Sequence, residues 1–229
     1  MRKELLIYNG PGVSRDFLPH LENELSQFFK IGYFNKEKPL NKRMLNSTNT
    51  ILIPGGRDVY YHQELKDKGN LIIKEFVKNG GNYIGICAGA YYGSSSIEFA
   101  CGTSLEIVDE RQLKLTAATA TGPIFGFDFS YDSDKTARNV EIIYKSKTLC
   151  LALDIYYNGG CTFKGSKDYT TLAFYRSKKE MPAIIYKKYG EGQVVLSGVH
   201  LERPIIKETP HQKIKRQKLI ADVVKLLGH

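Results

Sequence analysis

The clearest chemical signal in the sequence is a cysteine that lies between two glycines, directly after a short apolar stretch. Cys87 is the centre of a Gly-x-Cys-x-Gly pattern, with Gly85 before it and Gly89 after it. This pattern is typical of a nucleophile elbow, where a strand turns sharply into a helix and a Cβ beside the turning residue would meet neighbouring backbone. The turn exposes the thiol at the sheet edge, and the positive end of the helix favours the thiolate. The alternative is a packed structural thiol, because free cysteines are usually buried.

A candidate base and a carboxylate to orient it lie far downstream. Residues 193–196 predict a strand that runs on into His200 and Glu202. If extended geometry persists to Glu202, both side chains lie on one side of the chain, where a carboxylate fixes the imidazole tautomer and stabilises imidazolium. Cys87, His200 and Glu202 then form a triad in which His200 accepts the cysteine proton and returns it to a leaving group. Without the elbow, His200 fits an ordinary strand-end histidine better.

A third segment ends a predicted strand in two glycines. Residues 50–53 read as the strand, and Pro54, Gly55 and Gly56 follow it. Such an end presents backbone N–H groups at the carboxyl edge of a sheet, where the negative charge of a tetrahedral intermediate needs donors. We expect the amides of Gly56 and Ala88 to form an oxyanion hole. The alternative is a plain turn after a strand.

The order Pro-Gly-Gly, Gly-x-Cys-x-Gly and His-x-Glu resembles the class I glutamine amidotransferase superfamily. More narrowly, residues 54–58, residues 85–92 with Glu98 and Phe99, and residues 156–160 resemble the amidotransferase-like domain at the N-terminus of eukaryotic biotin-protein ligases, which also occurs as stand-alone bacterial proteins. The resemblance spans nearly the whole chain. It implies a flavodoxin-like α/β fold and the Cys87, His200 and Glu202 triad.

The sequence departs from that resemblance in two places. The glutaminases of the superfamily usually carry glutamine four residues after the nucleophile, as part of the substrate pocket, and here that position is Tyr91. Because of this difference, glutamine is not expected as the substrate. Biotin ligation also requires a separate domain with a Gly-Arg-Gly-Arg-type nucleotide loop, and the sequence has no such loop. The chain is not expected to ligate biotin by itself.

Residues beside these motifs are candidates for binding the substrate. We expect this group to comprise Gly55, Arg57, Asp58, Tyr91, Tyr157 and Asn158, with Tyr92 and Tyr156 as further aromatic candidates. The guanidinium of Arg57 suits bidentate binding of an anion, although a surface ion pair such as Arg57 with Asp58 is the more common fate of such a residue. Tyrosines are also common as core or surface residues in a chain with 15 of them.

Composition indicates an ordinary cytoplasmic domain. The chain has 229 residues, 42% of them hydrophobic, which can supply a sizeable core, and we expect a single domain over residues 1–229. No apolar run approaches the ~20 residues of a membrane span or reads as a signal peptide. The four cysteines, Cys87, Cys101, Cys150 and Cys161, show neither metal-ligand spacing nor a dense disulfide pattern. We expect no metal and no cofactor.

The net charge of +9 raises the question of nucleic acid binding. The densest basic cluster lies over residues 207–218, where Thr209 and Pro210 predict the start of a helix. Its apolar side is expected to carry Ile214, Ile220, Val223, Val224 and Leu227, which leaves the basic residues on the solvated face. No recognised nucleic-acid motif is present, and aromatic residues do not alternate with the charges. Nucleic acid is not an expected partner.

The order of elements predicts an α/β fold with a mostly parallel sheet flanked by helices. The first half alternates strands over residues 4–8, 49–53 and 83–86 with helices over residues 16–29, 71–78 and 88–93. The second half predicts an antiparallel extension. Its strands are expected over residues 113–116, 140–144, 149–155, 171–175, 183–189 and 193–196. The candidate site loops all follow the carboxyl ends of strands, where open α/β sheets bind ligands.

Two functions are compatible with this sequence. The first is a cysteine-dependent amidotransferase or hydrolase that acts on an amide or a related C–N bond of an unidentified small molecule or peptide. The second is a binding or regulatory module that keeps the scaffold and recognises a ligand or a biotin-protein ligase; a synthetase is another possible partner. Tyr91 in place of glutamine favours the second function, and the elbow with its histidine favours the first.

Overall fold

The computed structural model describes residues 3–126, 128–131, 133–166, 168–178 and 181–228. This part of the chain contains thirteen strands and five α-helices. The strands are β1 (Glu4–Tyr8), β2 (Lys30–Phe34), β3 (Thr48–Ile53), β4 (Asn82–Ile86), β5 (Ser96–Phe99), β6 (Ile107–Glu110), β7 (Ala118–Gly122), β8 (Arg138–Lys145), β9 (Cys150–Tyr157), β10 (Thr162–Gly165), β11 (Thr170–Tyr175), β12 (Pro182–Tyr189) and β13 (Gly192–Ser197). The helices are α1 (Leu18–Leu25), α2 (Lys42–Ser47), α3 (Asp58–Lys78), α4 (Ala88–Gly93) and α5 (Pro210–Leu226).

A nine-stranded sheet forms the centre of the molecule. Its strands lie in the order β2-β1-β3-β4-β13-β12-β11-β8-β9. The strands from β2 to β13 are mutually parallel, in the arrangement of a flavodoxin-like sheet, whereas the strands from β13 to β9 pair antiparallel. The predicted parallel sheet with an antiparallel extension is therefore confirmed.

The apolar strands at the centre of this sheet are buried on both faces by helices. Leu5, Leu52 and Val195 belong to a core cluster that includes residues of α1 and α5. Ile51 and Tyr83, which point the other way, belong to a second cluster with residues of α3 and α4. Strands covered on both sides read as continuous apolar runs, which is why the sequence predicts them well.

A smaller four-stranded sheet, β10-β7-β5-β6, lies beside the large one and was not expected from the sequence. The strand predicted over residues 113–116 is wrong. Leu113 and Leu115 are buried, but they lie in a loop in which Lys114 has a positive φ of 42°. The Leu115 amide donates to the carbonyl of Gly93 instead of joining a ladder. Alternating burial in this loop produces the same sequence pattern as a strand.

The predicted helices differ from the observed ones in length. The helix expected over residues 16–29 is a 3₁₀ turn (Arg15–Phe17) followed by the shorter α1, and the helix expected over residues 71–78 is the second half of α3, which is kinked at Lys66. Helix α5 begins as expected, because the Thr209 hydroxyl accepts from the Gln212 amide in a capping box. Ile214 is exposed rather than part of its apolar side.

The structure bears on two expectations drawn from composition, one about the cysteines and one about membrane-spanning segments. All four cysteines have free thiols; Cys87 and Cys161 are buried, whereas Cys101 and Cys150 are exposed. No helix within the described ranges is long and apolar enough to cross a membrane.

Helix α4 packs so closely on strand β3 that the contact requires glycine. A methyl group built on Gly89 would overlap the carbonyl oxygen of Ile53. We therefore predict that Gly89→Ala lowers the free energy of unfolding by about 2 kcal/mol, the range of overpacking. Helix propensity alone predicts the opposite sign, a gain of ~1 kcal/mol. Urea denaturation of the variant measures the difference.

The matched control is Gly32→Ala in strand β2. A methyl group at Gly32 meets only the flexible ends of two side chains, the Leu6 Cδ2 at 2.9 Å and the Glu4 Oε1 at 3.0 Å. This variant is expected to be neutral or slightly more stable. Equal effects of the two substitutions would contradict the close contact between α4 and β3.

Candidate active site

Cys87 lies in the tight turn between strand β4 and helix α4. Its backbone has φ 51° and ψ −106°, in a region that a residue with a Cβ seldom adopts. The Cys87 amide donates to the Ser197 carbonyl of β13 at 2.7 Å, which fixes the turn to the neighbouring strand. The strand, turn and helix expected around the cysteine are therefore present.

The glycines around Cys87 are required by backbone contacts. A methyl group on Gly85 would overlap the Gly89 carbonyl, and one on Gly89 would overlap the carbonyl of Ile53. Gly55 lies behind Cys87 and His200: a Cβ there would be 2.7 Å from the His200 Cε1 and 3.6 Å from the Cys87 Cβ. Gly55 thus gives the imidazole ring its space.

His200 and Glu202 form a buried pair. The His200 Nδ1 lies 2.8 Å from the Glu202 Oε1, and the two side chains are 1% and 2% exposed. Strand β13 ends at Ser197, so the two side chains are not aligned by strand periodicity as expected. A turn after the strand aligns them: the Ser197 hydroxyl donates to the Val199 carbonyl, and the His200 amide donates to the Tyr156 carbonyl at 3.0 Å.

The environment of His200 stabilises its protonated ring. Burial alone lowers the pKa of His200, but the charges of Glu202 and Cys87 and the hydrogen bonds that the ring donates to both side chains outweigh it and raise the pKa to about 10. Because Nδ1 is held by Glu202, Nε2 is the ring nitrogen that remains for Cys87. The Cys87 sulfur also lies 3.6 Å from the Asn158 carbonyl oxygen.

The two predicted oxyanion donors border the same space. Gly56 and Ala88 both line the cleft in front of Cys87. The residues on either side of Gly56 form backbone hydrogen bonds. The Ser14 amide donates to the Gly55 carbonyl, and the Arg57 amide donates to the Gly12 carbonyl. Within the described residues, the N–H groups of Gly56 and Ala88 have no protein acceptor. Both remain available to an oxygen in the cleft.

The cleft has a volume of about 320 Å³ and opens at the carboxyl ends of the parallel strands. Most of the site residues predicted from the sequence line this cleft. Those in its lining are Gly56, Arg57, Asp58, Cys87, Ala88, Tyr91, Asn158 and His200. Gly55 and Glu202 are absent from the lining and instead contact His200.

The charged residues after the Pro-Gly-Gly turn have different surroundings. The Arg57 guanidinium carbon lies 4.3 Å from the centre of the Tyr131 ring. Asp58 is buried, and its Oδ2 accepts from the Arg111 Nε at 2.7 Å. Burial raises the pKa of Asp58, although the charge of and hydrogen bond from Arg111 oppose this. Asp58 is thus bound to Arg111.

The predicted tyrosines do not all reach the cleft. Tyr91 lines it, and its hydroxyl donates to the Gly159 carbonyl at 3.1 Å. Tyr157 lies outside the lining, because its hydroxyl donates to the Gly160 carbonyl and accepts from the Ile124 amide. Tyr157 therefore holds a neighbouring loop and does not line this cleft.

Tyr92 and Tyr156 are also outside the lining. The Tyr92 hydroxyl is hydrogen-bonded to Asn70 in the core beneath α3. Tyr156 packs edge-on against the His200 ring, with 5.6 Å between the ring centres.

Comparison with known proteins identifies the family. The model of the family described as "Biotin-protein ligase, N terminal" matches residues 3–228. This chain belongs to the biotin-protein ligase N-terminal family. The biotin-protein ligase of Schizosaccharomyces pombe is 34% identical over 98% of this chain, but the chain spans only 38% of that ligase.

Two solved structures share the fold. A candidate GMP synthase subunit from Thermoplasma acidophilum has a TM-score of 0.56, with 12% identity over 98% of each chain. A glutamine amidotransferase from Thermotoga maritima has a TM-score of 0.50, with 14% identity over 98% of this chain and 85% of that chain. At these identities the likeness shows the fold alone.

Aromatic residues around His200 and the cleft were not predicted from the sequence of this family member. Phe17 stacks on the His200 ring, with 4.3 Å between centres and an interplanar angle of 16°. Phe99, Phe129 and Tyr131 line the cleft and contact one another. These residues come from separate loops and strands, and their spacing carries no shared signal.

Arg216 was expected on the solvated face of α5 but is almost fully buried, at 1% exposure. Its Nη1 donates to the carbonyls of Leu201 and Glu202 at 3.3 and 3.2 Å. Its Nη2 and Nε are paired with Glu24 and Glu208, at 3.1 and 2.7 Å. The guanidinium thus binds the backbone of the segment that carries the His200–Glu202 pair. No spacing distinguishes Arg216 from the lysines around it.

The raised pKa of His200 predicts a titration experiment. Because the folded-state pKa of about 10 exceeds the ordinary value of 6.5, the proton on His200 stabilises the fold below pH 6.5, and this contribution is lost as pH rises through about 10. The ring should be protonated at pH 8 by NMR. Glu202→Gln should lower the pKa, since it removes the charge, whereas exposed Glu191→Gln should not. A neutral ring at pH 8 in the native protein would contradict the assignment.

The buried ion pairs of Arg216 predict a large effect on stability. Arg216→Met leaves Glu24, which is 2% exposed, without its cation. We expect the free energy of unfolding to fall by about 3–5 kcal/mol, the cost of breaking a buried pair. Urea denaturation measures this, with exposed Lys218→Met on the same helix as the control. A change within ~0.5 kcal/mol, as for a surface site, would show that the network contributes little.

Proposed function

We propose that this protein is a cysteine-dependent enzyme that cleaves or transfers the acyl group of an amide. The observation that carries the proposal is the buried His200–Glu202 pair, which lies beside a cysteine held in a strained turn. A structural thiol needs neither a strained turn nor a neighbouring imidazole whose pKa is raised to about 10. Perturbed titratable groups in a cleft are typical of functional sites.

In the first half of the reaction, the Cys87 sulfur attacks the acyl carbon of the amide. In the resting site the Cys87 proton is already on the Nε2 of His200, in keeping with the raised pKa of His200, and Glu202 stabilises the imidazolium. The negative charge that develops on the acyl oxygen is stabilised by the N–H groups of Gly56 and Ala88. The C–N bond then breaks, His200 returns the proton to the leaving amine, and the acyl group remains on sulfur.

In the second half, water or another amine attacks the acyl-enzyme. His200, neutral after the first half, removes a proton from the attacking group, and the carbon–sulfur bond breaks to restore the Cys87 sulfur beside the protonated His200. Attack by water gives hydrolysis, and attack by an amine gives transfer. Both outcomes use the same residues.

A binding or regulatory module is the second candidate. Tyr91 stands where glutaminases of this fold carry a pocket glutamine, and its ring is buried against Phe99 at 5.5 Å between centres. The chain also corresponds to 38% of the fission yeast ligase, so in that protein the matching region is joined to a longer chain. A module that recognises a biotin-protein ligase, or a ligand for it, would need the cleft but not the thiol.

Alkylation of Cys87 distinguishes the two candidates. Iodoacetamide is reacted with the native protein and with His200→Gln at pH 7, and the rate at each cysteine is followed by peptide mass spectrometry. Loss of the base should slow Cys87 at least about tenfold, since a positioned base contributes roughly 10²–10⁴-fold to such reactions. The exposed Cys101 and Cys150 are internal references whose rates should not change. Equal Cys87 rates in the two proteins would favour the module.

A further inference from the structure

The ring of Phe17 lies against the face of the candidate base. It is stacked on the His200 imidazole, with 4.3 Å between the ring centres and an interplanar angle of 16°. Both residues line the cleft, and both are buried, at 6% and 1% exposure. The face of an aromatic ring carries negative charge density, so this contact stabilises a protonated imidazole more than a neutral one.

Other sides of the imidazole are also in contact with the protein. Its Nδ1 lies 2.8 Å from the Glu202 Oε1, and a Cβ on Gly55 would lie 2.7 Å from its Cε1. Tyr156 meets the ring edge-on at 5.6 Å between centres. The hydrogen bond to Glu202 fixes one ring atom but still permits the ring to tilt about that atom. Packing against the flat face of Phe17 therefore sets the plane of the imidazole.

The segment that carries Phe17 is fixed to the Pro-Gly-Gly turn. Phe17 ends a 3₁₀ turn after the first loop, and its amide donates to the Ser14 carbonyl at 3.1 Å. The Ser14 amide in turn donates to the Gly55 carbonyl at 3.1 Å. Gly56 has φ 147°, and a Cβ there would overlap the Gly12 carbonyl oxygen. The loop that packs on the proposed oxyanion donor therefore also carries the ring that packs on the base.

A second cation packs on the rings around His200. The Arg203 guanidinium carbon lies 4.3 Å from the centre of the Tyr156 ring and 4.9 Å from that of Phe17. Its Nη2 lies 3.8 Å from the Asp134 Oδ2. Burial raises the pKa of Tyr156 to about 12, so its phenol is neutral at pH 7. Arg203 thus holds the two aromatic neighbours of the imidazole in place through their ring faces.

The charges that act on the imidazole do not come from Phe17. Burial of the ring opposes its protonation, whereas Glu202 on the same segment and Cys87 on the turn before α4 favour it. Arg203, as a cation, does not add to this stabilisation. Because Phe17 is uncharged, a substitution there leaves these charged groups in place and changes only the contact with the ring face.

We propose that Phe17 is a positioning residue for the reaction, whose ring sets the plane of the His200 imidazole, directs its Nε2 at Cys87 and stabilises the imidazolium. This inference rests on the proposed function, because His200 needs a fixed direction only if it exchanges a proton with Cys87. Phe17 acts through His200 and exchanges no proton itself.

Phe17→Leu tests the inference, with Phe17→Tyr and Phe34→Leu as controls. Leucine is apolar but has no aromatic face, whereas tyrosine keeps the ring. Phe34 is equally buried, at 1% exposure, and its ring packs on Tyr8 instead of His200. By NMR titration, Phe17→Leu should lower the pKa of His200 by about 0.5–1, and each control should change it by less than about 0.2, as expected for loss of one cation–π contact.

Urea denaturation of the same variants separates this effect from loss of packing. Phe17→Leu and Phe34→Leu both shorten a buried aromatic side chain, and both are expected to be less stable than the native protein. Only Phe17→Leu should change the pKa of His200. Equal His200 pKa values in the two leucine variants would overturn the inference, and so would a pKa that Phe17→Tyr fails to restore.

Iodoacetamide alkylation at pH 7 tests the orientation of the base. Cys87 should react about two- to tenfold more slowly in Phe17→Leu and at the native rate in Phe34→Leu, because a less restrained imidazolium stabilises the thiolate less. A native rate in Phe17→Leu, in a protein whose Cys87 still depends on His200, would refute the role of Phe17 and leave the proposed function intact. A native Cys87 rate in His200→Gln would refute the proposed function and this inference with it.

Discussion

The strained backbone of Cys87 is the constraint on which the rest of the site depends. A residue with a Cβ adopts φ 51° and ψ −106° only where the surrounding structure holds it there. Here the restraint comes from both neighbouring strands: the Cys87 amide is bonded to Ser197 of β13, and helix α4 is pressed against the Ile53 carbonyl of β3. Because β3, β4 and β13 are adjacent and parallel, their carboxyl ends bring Gly56, Cys87 and His200 together.

Buried charge is the second element of the site, and it is distributed over several elements of the fold. Glu202 is paired with His200, and the backbone of the same segment is bound by Arg216 from helix α5. Arg216 is in turn balanced by Glu24 of helix α1 and by Glu208. Each of these charged groups would be costly to bury without its partner. The orientation of the imidazole therefore depends on α1 and α5, the helices on the opposite side of the sheet from α4.

The sequence predicted the strands and turns in which all residues have a similar, buried environment. Strands buried on both faces, such as β3 and β13, and the close-packed glycines beside Cys87 leave direct marks on residue type. Phe17 fits the apolar face of a helix, yet it lies in a 3₁₀ turn and stacks on His200. Arg216 cannot be told from the lysines around it until its carboxylate partners are in place. The local pattern of residue types indicates which residues are buried. Contacts between distant segments depend on tertiary packing, which residue spacing does not encode.

A ligand-binding module and a cysteine-dependent enzyme place different requirements on the residues of the cleft. A ligand-binding module requires a cleft, but it gains nothing from a cysteine with a positive φ or from a histidine and glutamate buried together at 1–2% exposure. Both features destabilise a protein unless they are restrained, and here close glycine contacts and Arg216 restrain them. Tyr91 lies in the same cleft as Cys87 and His200, and both of these residues line it. Under the proposed function, this combination would mean a substrate other than glutamine, because the proposed reacting groups are present and the residue four positions after the cysteine is Tyr91.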